Sequence, residues 1–238
     1  FNAILADLQA ASRQVEQALE LQRRFVSDVS HEMRTSLTTL NGNVELLRRK
    51  PPISEEDGAE VLADMAGESQ RLIRLVNDLL ALARADAQQP LRGESVWLKP
   101  IIEDVCRQAR NLDADRAIAC EPVPDVAVLG DEDALRQVLL ILLDNALKHT
   151  EGAILVTTQV TDEWVAVSVR DSGPGIEPEL LPHIFERFAR GAASGAQAGT
   201  GLGLAIAQAL VEAQEGTITV ESQEGQGSAF TVTLPRVA

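Results

Sequence analysis

The chain has 238 residues, of which 45% are hydrophobic, and its formal net charge is −15. This length allows one or two domains with buried cores. The acidic balance argues against a nucleic-acid-binding protein, because phosphate contacts of that kind need a basic face. It does not exclude a nucleotide ligand, since one local cluster of donors is enough to hold a phosphate.

The apolar runs, the first residues and the two cysteines of the chain predict the cellular compartment in which it works. No apolar run approaches the roughly 20 residues of a membrane helix, and the first residues show no signal-peptide pattern. The chain begins with Phe1 rather than Met, which predicts that it is a fragment of a longer protein. Cys106 and Cys120 form no CxxC motif, so we expect two reduced thiols in the core of a cytosolic protein.

Residues 4–50 predict a long helix. Apolar side chains recur there at alternating steps of four and three residues, which is the heptad seam of a coiled coil. The seam consists of Val15, Leu19, Gln22, Val26, Val29, Met33, Leu37, Leu40, Val44 and Leu47. Two consecutive steps of four, from Val29 through Met33 to Leu37, form a stutter that changes the supercoil locally.

A second helix is predicted after a short connection. Pro51 and Pro52 end the first helix, and Ser54 is a suitable N-cap for the second, with Asp57 at its third position. The same apolar spacing then continues through Leu62, Met65, Ser69, Leu72, Val76, Leu79 and Ala83. A single hairpin leaves its seam uncovered, so we expect residues 4–87 to form a homodimeric four-helix bundle.

After a predicted linker at 88–95 the pattern changes to short strands mixed with helices. The predicted strands are 118–120, 126–129, 154–160, 164–169, 217–222 and 229–234, and the predicted helices are 101–111, 134–149 and 201–214. This mixture predicts an α/β sandwich with antiparallel hairpins at 154–169 and 217–234. The expected fold class is therefore α+β multidomain, a helical hairpin followed by an α/β sandwich.

His31 lies in the middle of the first predicted helix, beside Glu32. It is two residues from Val29 and two from Met33, a rotation of about 200° in each case, so it faces away from the seam. A histidine on a helix surface is most often an ordinary solvated side chain. Beside an acid that accepts a hydrogen bond from one ring nitrogen, however, the other ring nitrogen becomes a workable nucleophile.

Four stretches in the second half have the chemistry of a nucleotide site. They are LLDNALKHT (142–150), DSGPGI (171–176), FERFAR (185–190) and GTGLGLAIA (199–207). Asn145 offers an oxygen to a hard cation, with Lys148 on the same helix face, and Asp171 is able to accept a hydrogen bond from an exocyclic amine. The last stretch joins a glycine-rich turn to a helix N-terminus, which presents free N–H groups to phosphates. Each pattern alone is a common turn or cap, but all four in this order predict a nucleotide site.

These residues resemble the transmitter core of a two-component sensor histidine kinase. FVSDVSHEMRTSLTTL resembles the H box of that family, LLDNALKHT its N box, DSGPGI its G1 box, FERF its F box and GTGLGL its G2 box, in family order. Residues 1–20 resemble a signalling helix and residues 21–87 the dimerisation and histidine-phosphotransfer domain. Residues 96–238 resemble the ATP-binding domain shared with gyrase, mismatch-repair and heat-shock ATPases.

The resemblance implies a protein-histidine kinase. His31 would accept the γ-phosphoryl group of ATP, with Glu32 as general base. Thr35 would orient water when a phosphorylated partner is dephosphorylated, and Arg187 or Arg190 would stabilise charge on the moving phosphoryl group. The phosphoryl group would then pass to an Asp of a response-regulator receiver domain. The parent protein would be a membrane-anchored sensor, with this portion in the cytoplasm.

The resemblance also implies the cofactors. Asn145 would hold Mg²⁺. The residues implied for ATP are Asn145, Lys148, His149, Asp171, Gly173, Gly175, Ile176, Phe188, Gly199, Thr200, Gly201, Leu202 and Gly203.

Four residues depart from the family pattern. Ser36 replaces the usual Pro, which predicts a straighter first helix because its N–H bond is kept. Ile141 replaces the first Asn of the N box, a position where related hydrolytic ATPases have a Glu that activates water, so futile ATP hydrolysis should be slow. Ala198 replaces a common Gly before Gly199, which restricts the lid, and Ala189 replaces a common Tyr.

Three other functions compete with the autokinase. The same fold would act mainly as a phosphatase or signalling scaffold if the departures weaken kinase activity. A dimeric ATPase clamp is disfavoured because residue 141 is not an acid and because His31 and Glu32 would have no role. A plain coiled-coil interaction module would explain residues 4–87 but not residues 142–204.

Overall fold

The computed structural model describes residues 2–49, 54–86, 93–189 and 201–237. The chain divides into two compact units, Phe1–Asn77 and Asp78–Ala238. None of the helices in these described ranges combines the length and the hydropathy of a membrane-spanning segment.

The first unit is a pair of long helices, α1 (Asn2–Leu47) and α2 (Glu55–Asp86), the second of which continues into the other unit. The N-cap prediction for α2 is confirmed, because the backbone N–H of Asp57 donates to Ser54 Oγ at 3.1 Å. Three acidic residues fill the first turn of α2, where the helix dipole favours negative charge. α1 ends at Leu47, before the predicted end at residue 50.

The predicted seam of the helices divides between two surfaces. Met33, Leu40, Leu72 and Leu79 are half-buried. Other large apolar side chains remain exposed, namely Leu19, Val26, Leu37, Val44 and Leu46 on α1 and Leu62, Ile73, Val76 and Leu80 on α2. The two helices of one chain therefore leave a second apolar surface uncovered.

Within its described residues, the second unit contains seven strands. They are β1 (Glu94–Trp97), β2 (Ile118–Cys120), β3 (Ala127–Gly130), β4 (Ile154–Val160), β5 (Trp164–Asp171), β6 (Thr217–Ser222) and β7 (Ser228–Pro235). One sheet has the order β2-β4-β5-β7-β6, and β1 pairs with β3 in a second, two-stranded sheet. β2 and β4 are parallel, whereas the other neighbours are antiparallel. The predicted hairpins β4–β5 and β6–β7 are thereby confirmed.

The helices α3 (Leu98–Leu112), α4 (Glu132–His149) and α5 (Gly203–Glu212) accompany this sheet. α4 contacts α3, α5 and β5, while α3 contacts β2 and α5 contacts β6. Ile102, Leu142 and Ile206 on the helices are fully buried, as are Val165, Val167 and Val169 on β5. The predicted α/β sandwich is therefore confirmed, although α5 begins at Gly203 rather than at residue 201.

Two details of the second unit correct the sequence predictions. Glu94 and Ser95, the last residues of the predicted linker, belong to β1. Cys106 and Cys120, predicted to be reduced thiols, form a disulfide with an S–S distance of 2.03 Å. The physical reason is that α3 packs against β2, which brings the two Cα atoms to 6.8 Å.

Candidate phosphoacceptor and nucleotide sites

His31 lies on the outer surface of α1. Its side chain is exposed, whereas Val29 and Met33 are half-buried, so the orientation predicted from the helical period is confirmed. Thr35, one turn further along, is also exposed, and its hydroxyl donates to the backbone carbonyl of His31 at 3.0 Å. The two side chains therefore lie on neighbouring positions of one solvent-facing surface.

Glu32 points to the side of the helix rather than outward. Its carboxylate Oε2 accepts a hydrogen bond from Arg71 Nη2 of α2 at 2.8 Å, and both side chains are largely covered. This ion pair joins the two helices directly beside the histidine. The guanidinium places a positive charge against the carboxylate that the resemblance assigns as general base.

Ser36 occupies the inner surface of α1 and is only 2% exposed. α1 is continuous through this position, from Asn2 to Leu47. The departure from Pro therefore coincides with an unbroken helix next to the histidine. The straightness of that helix stays a prediction.

α4 carries the N-box residues on a well-anchored helix. Asp131 caps its N-terminus by accepting from the backbone N–H of Ala134 at 3.0 Å. The buried Gln214, just beyond the C-terminus of α5, accepts from the N–H of Asp131 at 2.8 Å and donates to Leu210 O at 2.7 Å. Sequence reasoning missed Gln214, because nothing local distinguishes a glutamine that bridges two helices.

The polar N-box residues lie on the more open side of α4. Asn145 is half-buried, and Lys148 is exposed and forms an ion pair with Asp144 one turn earlier. Desolvation lowers the pKa of the neighbouring His149 below its ordinary value of 6.5, and Lys148 lowers it further, while Asp171 and Asp144 oppose this. The imidazole is therefore biased toward its neutral form at this end of the helix.

Ile141 has a packing role. A Cβ atom placed on Gly203, at the start of α5, would lie 3.3 Å from Ile141 Cγ2. The isoleucine therefore fills the space between α4 and the first turn of α5. An apolar side chain at this position carries no group that could activate water.

Asp171 ends β5 on the buried side of the sheet. Val165, Val167 and Val169 alternate as buried residues along that strand, and Asp171 continues the alternation at 7% exposure. The N–H of Gly173 donates to Asp171 Oδ1 at 2.8 Å. The carboxylate is thus held at the edge of the core, in a position to accept a hydrogen bond from the amine of a buried ligand.

The glycines after Asp171 allow close packing of the backbone. A Cβ on Gly173 would lie 2.9 Å from the carbonyl oxygen of His149 and 2.7 Å from Asp171 Oδ1. Gly175 has a φ of +76°, and a Cβ there would meet Gln223 O at 2.2 Å. Ile176 is held by its N–H, which donates to Ser222 Oγ at 2.9 Å. The C-terminal end of α4 and the DSGPGI loop therefore pack directly against each other.

The F-box and G2-box residues meet in a second contact. The N–H of Phe188 donates to Gly201 O at 2.8 Å, and a Cβ on Gly201 would lie 2.9 Å from Phe188 Cα. Gly201 has a φ of +72°, a conformation that favours glycine. Leu202 is fully buried, and Arg187 is exposed. Arg190, Ala198, Gly199 and Thr200 lie outside the described residues.

Arg116 is a second residue that sequence reasoning missed. Its guanidinium donates from Nη1 to Leu147 O at 2.8 Å and to Thr150 O, at the C-terminal end of α4. No motif surrounds it in the chain, and these two carbonyls lie more than thirty residues away from it. Only the packed structure identifies it.

Comparison with known proteins agrees with this arrangement. Residues 21–88 match the His Kinase A (phospho-acceptor) domain, and residues 130–238 match the family described as histidine kinase-, DNA gyrase B-, and HSP90-like ATPase. The probable sensor histidine kinase TcrY of Mycobacterium tuberculosis is 41% identical over 95% of this chain and 48% of its own length. The signal transduction histidine-protein kinase/phosphatase MprB of Mycolicibacterium vanbaalenii is 36% identical over 94% of this chain and 48% of its own length.

A solved structure leads to the same family. The crystal structure of full-length ShkA in complex with AMPPNP covers 88% of this chain with a TM-score of 0.64 and 33% identity, and the match spans 45% of that protein. The chain spans about half the length of the curated relatives that it matches. With a phospho-acceptor hairpin followed by an ATPase-type sandwich, the chain belongs to the sensor histidine kinases of two-component signalling.

Proposed function

We propose that the chain transfers the γ-phosphoryl group of ATP to His31 and then to an Asp of a response-regulator receiver domain. The observation that carries this proposal is the exposed His31 beside Glu32 on α1, in a chain whose second unit holds Asp171 and the glycine-rich loops together. ATP binding is supported by the match to the ATPase family and by the AMPPNP complex of ShkA.

The proposed step is an in-line displacement. Nε2 of His31 attacks the γ-phosphorus, the N–P bond forms as the bond to the β–γ bridging oxygen breaks, and ADP leaves. Glu32 accepts the hydrogen bond from the other ring nitrogen and so stabilises the positive charge that develops on the ring. In the second unit Asp171 accepts from the adenine amine, and Lys148 moves from Asp144 to the phosphates.

The site suits a Mg²⁺ ion that is held by only one or two protein oxygens. Among the described residues, no group of three His, Cys, Asp or Glu side chains is placed to hold a metal ion. Mg²⁺ in ATP-using enzymes is held mainly by phosphate oxygens and water with one or two protein oxygens, and the half-buried amide of Asn145 supplies such an oxygen. When bound, the ion would neutralise charge on the phosphates.

Domain limits and the dimer are part of the proposal. We assign residues 1–20 to a signalling helix, 21–87 to the phosphotransfer hairpin and 96–238 to the ATP-binding domain, with a linker at 88–95 whose last two residues, Glu94 and Ser95, already form the start of β1. The uncovered apolar side chains of α1 and α2 support pairing of two chains through residues 4–87. The parent protein is proposed to be a membrane-anchored sensor, with this portion on the cytoplasmic side where ATP is available.

A phosphatase activity toward the regulator is the second candidate. It is favoured by the exposed hydroxyl of Thr35, one turn from His31, and by the kinase/phosphatase name of the relative MprB. Loss of Thr35 should then slow dephosphorylation of a phosphorylated receiver without slowing the labelling of His31. The variant Thr35→Ala, compared with Thr39→Ala further along the same helix, tests this separation.

Labelling with ATP tests the main proposal. The purified chain is mixed with Mg²⁺ and γ-labelled ATP, beside the variants His31→Gln and His183→Gln. We expect label that is stable to base and labile to acid, that is lost in the first variant and is kept in the second. A chain that binds ATP but takes up no label would contradict the autokinase and leave the scaffold function.

A further inference from the structure

Arg116 connects two parts of the ATP-binding unit. It lies in the segment between α3 and β2, and its side chain is only 14% exposed. Nη1 donates to Leu147 O at 2.8 Å and to Thr150 O, and Nη2 pairs with Asp113 Oδ2 at 2.9 Å. The planar guanidinium is thus fixed by three oxygens, and two of them belong to the end of α4.

The two carbonyl groups need such a donor. Carbonyls in the last turn of a helix have no N–H partner further along the helix, and a cation at this end also interacts favourably with the helix dipole. Leu147 lies directly before Lys148, and Thr150 directly follows His149. Arg116 therefore holds the part of α4 that carries the N-box side chains.

The same part of α4 supports the loop that carries Asp171. A Cβ on Gly173 would lie 2.9 Å from His149 O and 3.1 Å from Thr150 Cβ, so the two backbones touch. The N–H of Gly173 in turn donates to Asp171 Oδ1. A shift of residues 147–150 would therefore move the Asp171 carboxylate, because the loop has no free space on that side.

From these contacts we infer that Arg116 is a positioning residue for nucleotide recognition, which acts by holding the end of α4 against the Asp171 loop. It touches the carbonyls of Leu147 and Thr150, and its effect on ATP is exerted through Asp171 and Lys148. This inference rests on the proposed function, because it names a residue that shapes the ATP site of that proposal.

The test compares two arginines of the same neighbourhood. Arg116→Met removes the donors to α4, whereas Arg110→Met removes a single bond of 3.0 Å from Arg110 Nε to Ile118 O in β2. Dissociation constants for ATP and GTP are measured by calorimetry on the full chain, after tryptophan fluorescence has shown that each variant is folded. A loss of about tenfold in ATP affinity is expected for Arg116→Met, which corresponds to one charge-assisted hydrogen bond. Arg110→Met should match the wild type.

The preference for ATP over GTP separates positioning from simple stabilisation. A variant that is merely less stable binds both nucleotides in the same ratio once it is folded. A displaced Asp171 reads the adenine amine less well, so for Arg116→Met the ATP-to-GTP preference should fall by a similar factor. Arg116→Lys keeps the charge and some donors, so it should show a smaller loss and serves as the measurable variant if Arg116→Met does not fold.

The outcomes distinguish this inference from the proposed function. Wild-type affinity and preference in a folded Arg116→Met or Arg116→Lys would overturn the role of Arg116. A wild-type chain that fails to bind ATP would overturn both proposals together. A wild-type chain that binds ATP but does not label His31 would overturn the autokinase alone, and the binding data would still decide the role of Arg116.

Discussion

Replacing Gly175 with alanine is expected to weaken ATP binding, whereas the same change at Gly225 is not. Both glycines have nearly the same positive φ, +76° and +77°. A Cβ on Gly175 would lie 2.2 Å from Gln223 O and 2.8 Å from Gln223 C, whereas a Cβ on Gly225 would meet nothing within 4 Å. Comparing Gly175→Ala with Gly225→Ala therefore separates the cost of backbone strain from the effect of displacing the DSGPGI loop.

The magnitudes follow from these two contributions. An L-residue in the left-handed region costs about 1–2 kcal/mol, partly offset by up to about 1 kcal/mol from the less flexible unfolded chain, so Gly225→Ala should cost about 1 kcal/mol. Gly175→Ala adds a clash with backbone atoms, and overpacking typically costs about 1–3 kcal/mol more. Movement of the loop should also raise the dissociation constant for ATP by about tenfold or more.

Tryptophan fluorescence and a fluorescent ATP analogue measure both effects. The chain has two tryptophans, and Trp97 and Trp164 both belong to the second unit, so the fluorescence change on denaturation reports that unit alone. Equal losses of stability in Gly175→Ala and Gly225→Ala, or wild-type ATP affinity in Gly175→Ala, would show that the close contact with Gln223 does not shape the nucleotide site.

Three further predictions follow from single contacts. Ser36→Pro should lower the free energy of unfolding of the helical unit by about 3 kcal/mol, measured by circular dichroism beside Ser36→Ala; an unchanged transition would contradict the continuous helix. Thiol titration of denatured protein should find no free thiols until the Cys106–Cys120 disulfide is reduced, and reduction should cost about 3 kcal/mol; two thiols without reductant would restore the sequence prediction. Because the pKa of His149 is lowered in the folded state, the unfolded state binds more protons below pH 6.5, so stability should fall as the pH drops below that value; His149→Gln should reduce this dependence.

The orientation of His31 was predictable because it depends only on the helical period. The distance of two residues between His31 and the apolar seam can be read from the local sequence. The structure places the side chain on the solvent-facing surface as expected. The β4–β5 and β6–β7 hairpins were predictable for a related reason, since each is formed by neighbouring strands with short connections.

The features that were missed depend on contacts between distant parts of the chain. β1 is a short strand that pairs with β3, about thirty residues further along the chain, so its own four residues carry little signal. The disulfide exists because α3 packs on β2, and no CxxC spacing in the sequence indicates it. Arg116 and Gln214 are ordinary polar residues in sequence, and they acquire roles only when α4 is placed against them.

The nucleotide site was only partly predictable. The motifs name four segments as a nucleotide site, and the structure brings Gly173 close to His149 and Phe188 close to Gly201; that these segments bind a nucleotide stays a prediction. The sequence did not predict that Ile141 packs against Gly203, because that contact joins two helices that are distant along the chain. The roles of individual side chains in binding ATP stay predictions.

The location of the phosphoryl group tests the central claim most directly. The chain is incubated with ATP and Mg²⁺, digested under alkaline conditions that preserve phosphohistidine, and its peptides are sequenced by mass spectrometry. We predict a phosphoryl group on His31 and none on the other two histidines, His149 and His183. A phosphoryl group on any other residue, or none on a chain that binds ATP, would contradict the claim that His31 is the acceptor.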